Sequence, residues 1–211
     1  MSLISLQGGA TGTGTVTLLA PITSTNRTLT LPDATGIVVS TGSTAVVTPT
    51  MLTQPFTSST AVASTSGTSI DFTGIPSWVK RITVMFVSVS TNGSSAVLLQ
   101  LGSGSPTTTG YAGSCFGALA SSGFGVTNYT TGFGLGSDGG AGYSRVGSVV
   151  LTLQSGNTWA CAGILGQNDA ARINSVGGVI ALAATLDRVR ITTVNGTDTF
   201  DAGSVNILYE G

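Results

Sequence analysis

Nowhere over about 12 residues do apolar side chains return at i, i+3, i+4 and i+7, so no segment has the stripe an amphipathic helix needs. The chain instead repeats at the two-residue period of strands, in short runs closed by Gly, Ser, Asn and Asp. That pattern restricts it to an all-β fold.

The longest run covers residues 78–89. Ile82, Val84 and Phe86 fall on one face, and Thr83, Met85 and Val87 on the other. Both faces are apolar or small, which predicts a central strand covered on both sides. Residues 69–72 put Ile70 and Phe72 on one face, residues 186–194 put Val189 and Ile191 inward, and residues 204–209 close with Val205, Ile207 and Tyr209. Further strands are expected at 96–101, 143–154 and 158–163, while 175–184 is ambiguous. Asn92-Gly93 and Asn195-Gly196 each lie between apolar runs, the pattern of a tight hairpin. Residues 102–142 alternate weakly and read as long loops or short irregular strands. About eight strands from residue 68 onward have the spacing of an antiparallel β-sandwich, jelly-roll-like in its strand count.

The organisation predicted is therefore a β-sandwich tip at 68–211, a Ser/Thr-rich linker broken by Pro at 51–67, and a short extended β arm or shaft at 1–50. In the arm, Val16, Leu18, Leu29, Leu31, Ile37 and Val39 sit on strands too short to make a core alone. Packed against copies of themselves, or against another structural protein, they would bury one face each. They are the attachment candidates.

Composition narrows the function. Charged residues are 7% of the chain, against about 25% in an average domain. Such a chain, rich in Val, Ile and Thr, is expected to bury surface against partners rather than stay disordered or alone. The net charge of −1 offers no basic footprint for nucleic acid. Residues 176–186, the most apolar stretch, fall short of the ~18 residues of a spanning helix. The N-terminus has no cationic region and no long apolar core, so assembly in a cytoplasm is expected. In that compartment Cys115 and Cys161 are expected as buried free thiols.

There is no histidine, which removes Ser-His-Asp and Cys-His catalysis and His-ligated zinc. Asp198 and Asp201 are close in sequence and could suggest a carboxylate pair, but their Gly- and Asn-rich setting is that of turn residues. Residues 134–139 match G-x-G-x-x-G without the strand and helix that a dinucleotide site needs. Asn26, Asn92, Asn128 and Asn195 head N-x-S/T sequons, as expected by chance in a Ser/Thr-rich chain. No catalytic residue, cofactor or metal is expected. Tyr111, Phe124, Tyr129, Phe133 and Tyr143 lie among glycines. They either form a receptor-contact surface, as tyrosines on Gly/Ser loops do, or plug a core or a subunit interface.

Several stretches resemble bacteriophage tail-fibre proteins. Residues 15–21 (TVTLLAP) and 28–40 (TLTLPDATGIVVS) are similar to segments near the start or in the shaft of such fibres. Residues 70–93 (IDFTGIPSWVKRITVMFVSVSTNG), 98–102 (LLQLG), 187–196 (DRVRITTVNG) and 200–211 (FDAGSVNILYEG) resemble their C-terminal tip domains. The resemblance is weakest across 103–142. It implies a homotrimer located in the virion, attached to other virion proteins through residues 1–50, with a tip that contacts a host-surface glycan or protein during adsorption. It carries no catalytic motif. The chain is short for a tail fibre, so a head fibre or capsid decoration protein is the alternative.

Overall fold

Alternating inward and outward side chains fold the chain into strands that pair antiparallel throughout. The computed structural model describes residue 24 and residues 56–211, apart from 121, 122, 168 and 170. The attachment candidates Val16, Leu18, Leu29, Leu31, Ile37 and Val39 lie outside the described residues.

Fourteen strands are present among the described residues: β1 (Thr57–Ser58), β2 (Val62–Ala63), β3 (Ile70–Thr73), β4 (Arg81–Thr91), β5 (Val97–Ser103), β6 (Ser105–Pro106), β7 (Ala112–Leu119), β8 (Gly123–Tyr129), β9 (Phe133–Gly134), β10 (Arg145–Ser155), β11 (Thr158–Gln167), β12 (Arg172–Ala181), β13 (Arg188–Thr193) and β14 (Phe200–Glu210). They form two sheets. The larger runs β1-β14-β4-β10-β11-β12-β7-β8, with β2 also on β14; the smaller runs β3-β13-β5-β6, with β9 on β5. The all-β antiparallel sandwich is as the sequence predicts.

The inner faces meet in one buried cluster. Ile82, Val84 and Phe86 of β4, Val149 and Leu151 of β10 and Val205 and Ile207 of β14 face Ile70 and Phe72 of β3, Val97, Leu99 and Leu101 of β5 and Val189 and Ile191 of β13. Each such side chain contributes on the order of 1.5–3 kcal/mol of burial. Trp78 and Tyr209 seal one margin, their rings 5.9 Å apart.

Four expectations change. Strand β4 is central, between β14 and β10, but Thr83 and Met85 are only half-buried and Val87 is exposed. The strand covered on both faces is β5, which the segment at 131–132 overlies: Gln100 Nε2 donates to Thr131 O at 2.8 Å. Residues 57–58 and 62–63, assigned to a linker, pair with β14 and extend the larger sheet. Residues 112–119 and 123–129, expected as loops or irregular strands, form the regular pair β7–β8.

The fourth change concerns the Asn-Gly turns. Neither closes a hairpin; each carries the chain from one sheet to the other, β4 to β5 and β13 to β14. The two corners are bonded to each other. Asn92 N donates to Thr199 O and Thr199 N donates to Asn92 Oδ1, both at 2.9 Å. Asp198 accepts from Ser95 N at 2.8 Å and from Asn195 Nδ2 at 2.6 Å. Gly93 is needed because a Cβ there would overlap the Asp198 carboxylate, and Gly196 has φ +69°. Asp201 accepts the Ser90 hydroxyl. Asp198 is thus a structural turn residue, as its sequence setting suggests, whereas Asp201 lies in β14 and bonds across to β4.

Replacing Asp198 with Ala leaves the Ser95 amide and the Asn195 side chain without their acceptor. The expected loss is about 1–3 kcal/mol, read as a lower urea midpoint with an unchanged m value.

Candidate assembly interface

Residues directly opposite in paired strands share a face, so the register across β10, β11, β12, β7 and β8 defines the outer surface of the larger sheet. One row is Val146, Gly166, Ile173, Ala118 and Phe124; the next is Ser148, Ile164, Ser175, Phe116 and Val126. Phe124 is 81% exposed, Val126 67%, Ile164 64% and Ile173 57%. The Phe116 and Phe124 rings stack at 5.5 Å. Val87 of β4 extends the patch beside Val146.

These five strands contain two charged residues, Arg145 and Arg172. The register places both on the inner face, opposite Gln167. The outer face of all five therefore carries no charge. Beyond the large side chains, Ala112, Ser114, Asn128 and Gly177 line a shallow depression of about 620 Å³. Among the described residues strand β8 is the last of the sheet, and its sequence GFGVTNY has none of the Lys or Pro residues that commonly blunt edges. The smaller sheet is the opposite case. Arg190 makes a two-pronged contact with Asp71 at 2.6 and 3.0 Å, and Arg188 pairs with Asp187 at 2.8 Å. Such solvated pairs contribute little stability, but they mark a surface that faces water.

The five receptor-contact candidates separate. Tyr111, Tyr129 and Phe133 are buried, so they offer no surface to a receptor. Tyr111 packs edge-on against Phe133 at 4.9 Å, and its hydroxyl oxygen accepts from Leu101 N at 2.7 Å. Tyr129 donates its hydroxyl to Gly136 O at 2.6 Å. These rings plug the space between the sheets. Tyr143 is half-buried, with the Arg172 guanidinium 5.9 Å from its ring centre. Phe124 alone is fully outward, and it stands on the uncharged face.

The 134–139 glycines have a packing role. A Cβ on Gly134 would strike the Tyr129 ring, and one on Gly139 would meet the Ser94–Ser95 backbone. Among the described residues no three His, Cys, Asp or Glu side chains gather as a metal site. The sequence did not reveal the outer face, because glycine fills the inner positions Gly113, Gly117 and Gly125. At Gly117 a side chain would collide with Ser137, which lies over the strand. The large apolar residues of β7 and β8 therefore point outward, reversing the usual contrast.

Comparison with known proteins finds no matching family model, no matching curated protein and no matching solved structure.

Both cysteines are buried free thiols. Burial pushes the Cys115 thiol up to about 11 and raises Cys161 as well. Burial also lifts the Tyr111 and Tyr129 hydroxyls to about 12. For each, the folded pKa lies above the unfolded one. Below pH 9, the ordinary thiol value, both states hold the same protons and stability is unaffected. Above it the unfolded thiols ionise first, so stability falls as pH rises. The unfolding free energy from urea titration should drop between pH 9 and pH 10 by about 1 kcal/mol per thiol, and Cys115→Ala/Cys161→Ala should flatten that slope.

Proposed function

We propose that this chain is a non-catalytic structural protein of a bacteriophage particle, a short fibre-type subunit that assembles with copies of itself. The observation that carries the reading is the uncharged apolar outer face of β10, β11, β12, β7 and β8. Five strands about 4.8 Å apart span roughly 20 Å, and seven residues of strand run about 23 Å. The plane so defined is roughly 450 Å², within the ~300–600 Å² of the largest patch on a typical monomer, a patch that is often functional.

A second copy is the occupant that fits. The face has no charge to satisfy, so it needs no complementary charge from a foreign partner. A chain with 15 charged residues in all, 7 basic and 8 acidic, has abundant uncharged surface to pair with it. Resemblance to tail fibres supplies the number three and the virion setting. The segments that carry that resemblance form β3, β4, β5, β13 and β14, which supports a fibre tip built on a shared sandwich. Residues 103–142, where the resemblance is weakest, supply β7 and β8, two of the five strands of the proposed interface.

Two placements follow from the fibre reading. A tail position would have the tip contact a host-surface glycan or protein. A head-fibre or decoration position would make the role purely structural. The burial of Tyr111, Tyr129 and Phe133 favours the second, because it removes three of the five side chains considered for host contact.

The full chain should scatter light as a homotrimer at micromolar concentration. Phe124→Asp/Ile164→Asp should shift it to monomer, with at least a hundredfold weaker association and an unchanged far-ultraviolet spectrum. Arg190→Gln on the smaller sheet should leave the trimer intact. A monomeric native chain would sink the assembly reading. Competition of the purified protein with phage adsorption separates the tail placement from the head placement.

A further inference from the structure

At one end of the sandwich, the inner face of the larger sheet holds polar side chains instead of apolar ones. Arg145, Gln167 and Arg172 lie directly opposite one another on β10, β11 and β12, and Asn174 is two residues further along β12 on the same face. Arg145, Gln167 and Asn174 are buried, with at most 2% exposure. Their polar atoms are almost all donors. Arg145 Nε and Nη2, Gln167 Nε2, Arg172 Nε and Asn174 Nδ2 are buried without a hydrogen-bond partner.

The deficit is one of acceptors. Arg145 spends Nη1 on Tyr143 O at 3.1 Å. Arg172 spends its Nη1 on the Asp138 carboxylate. Asn174 Oδ1 accepts from Ser137 N at 3.3 Å, which fixes its amide with the nitrogen as donor. Turning the Gln167 amide over would supply one oxygen against three orphaned guanidinium nitrogens. Charge is unbalanced as well. Among the described arginines, Arg145 is the one with no carboxylate within ion-pair distance. The Asp169 charge acts on it weakly, and that carboxylate is bonded to Ser144 N. Burial lowers the Arg145 guanidinium only to about 10, so it is a cation at neutral pH. An unpaired buried cation costs several kcal/mol.

We infer that this row of donors binds a small inorganic monoanion, with chloride as the simplest case, held by Arg145 Nε and Nη2 and by the Gln167, Arg172 and Asn174 nitrogens. Water fits less well. Each water brings two protons that also need acceptors, and it leaves the Arg145 charge uncompensated. An anion accepts from every donor and cancels that charge. The backbone at Gly136 bounds the space beside the guanidinium, since a Cβ there would lie 3.5 Å from Arg145 Nη2. An opening of about 180 Å³ between Gly117, Gly125, Ser137 and Asp138 borders the row at Arg172.

The test uses the full chain at fixed ionic strength, with sodium gluconate exchanged for sodium chloride. Tm should rise with chloride and saturate, and Arg145→Met should abolish the dependence while Arg190→Met keeps it. Equal Tm values in the two salts would overturn the inference. Should Arg145→Met not fold, crystals of the native protein grown in bromide decide the matter. An anomalous peak within hydrogen-bond distance of Arg145 Nε supports the site, and density there without an anomalous signal refutes it.

Discussion

Five neighbouring strands carry no charge on their outer face and two arginines on their inner one, and this asymmetry organises the molecule. In β10, β11, β12, β7 and β8 the inner rows pack against the smaller sheet and its covering segment, while the outer rows carry Phe, Ile, Val, Ala, Gly and Ser. The first cover is internal and comes from β3, β5 and β13 with the aromatic plugs Tyr111, Tyr129 and Phe133. In the proposed assembly the second cover is another copy of the chain. Hydrophobic burial is non-directional, so a flat apolar face sets strength of association more than its geometry. Specific stacking such as Phe116 on Phe124 and the small-residue depression beside it give the face a defined shape.

Much of the fold was legible because period-two alternation survives where the inner position is a large apolar residue. Ile70 and Phe72, Ile82 and Val84, and Val189 and Ile191 were assigned to the core from spacing alone, and all are buried. Legibility failed at β7 and β8, where the covering segment comes so close that only glycine fits beneath it at Gly117. There the inner row has no hydrophobic signature and the outer row has a strong one. A single sequence does not say which face of a strand is which; the neighbouring strand decides.

The Asn-Gly turns show a related limit. The dipeptide signals a tight reversal, and the chain does reverse at both sites. What the dipeptide does not encode is the strand the chain returns beside. Asp198, 105 positions from Gly93, occupies the space a side chain at Gly93 would need and ties both corners together. The hairpin expectation rested on local φ preference, and a long-range carboxylate bond redirected it. Tyr111 and Tyr129 show the same limit. Tyrosine on a Gly-rich stretch is equally suited to a binding loop or to spanning a gap between sheets, and the buried partners Leu101 N and Gly136 O chose the second.

The polar row at Arg145, Gln167, Arg172 and Asn174 is where the rule of apolar inner faces breaks. Its position gives a physical reason. Bulges disturb the register of β10 against β4 between Arg145 and Gly147, and Ser88 and Gly203 take positive φ nearby on β4 and β14. Such bulges raise the local twist of a sheet. The 135–144 segment covers the row, through Gly136, Ser137 and Asp138. A covering segment without regular pairing exposes backbone carbonyls and amides to the interior, and long donor side chains can reach them where leucine could not. Arg145 reaches Tyr143 O and Arg172 reaches Asp138, so each stitches the segment to the sheet. Two guanidinium groups bring more donors than the segment has acceptors. The same need that placed the arginines there therefore leaves an excess of positive, hydrogen-bonding capacity in the interior, which an anion balances without any rearrangement of the fold.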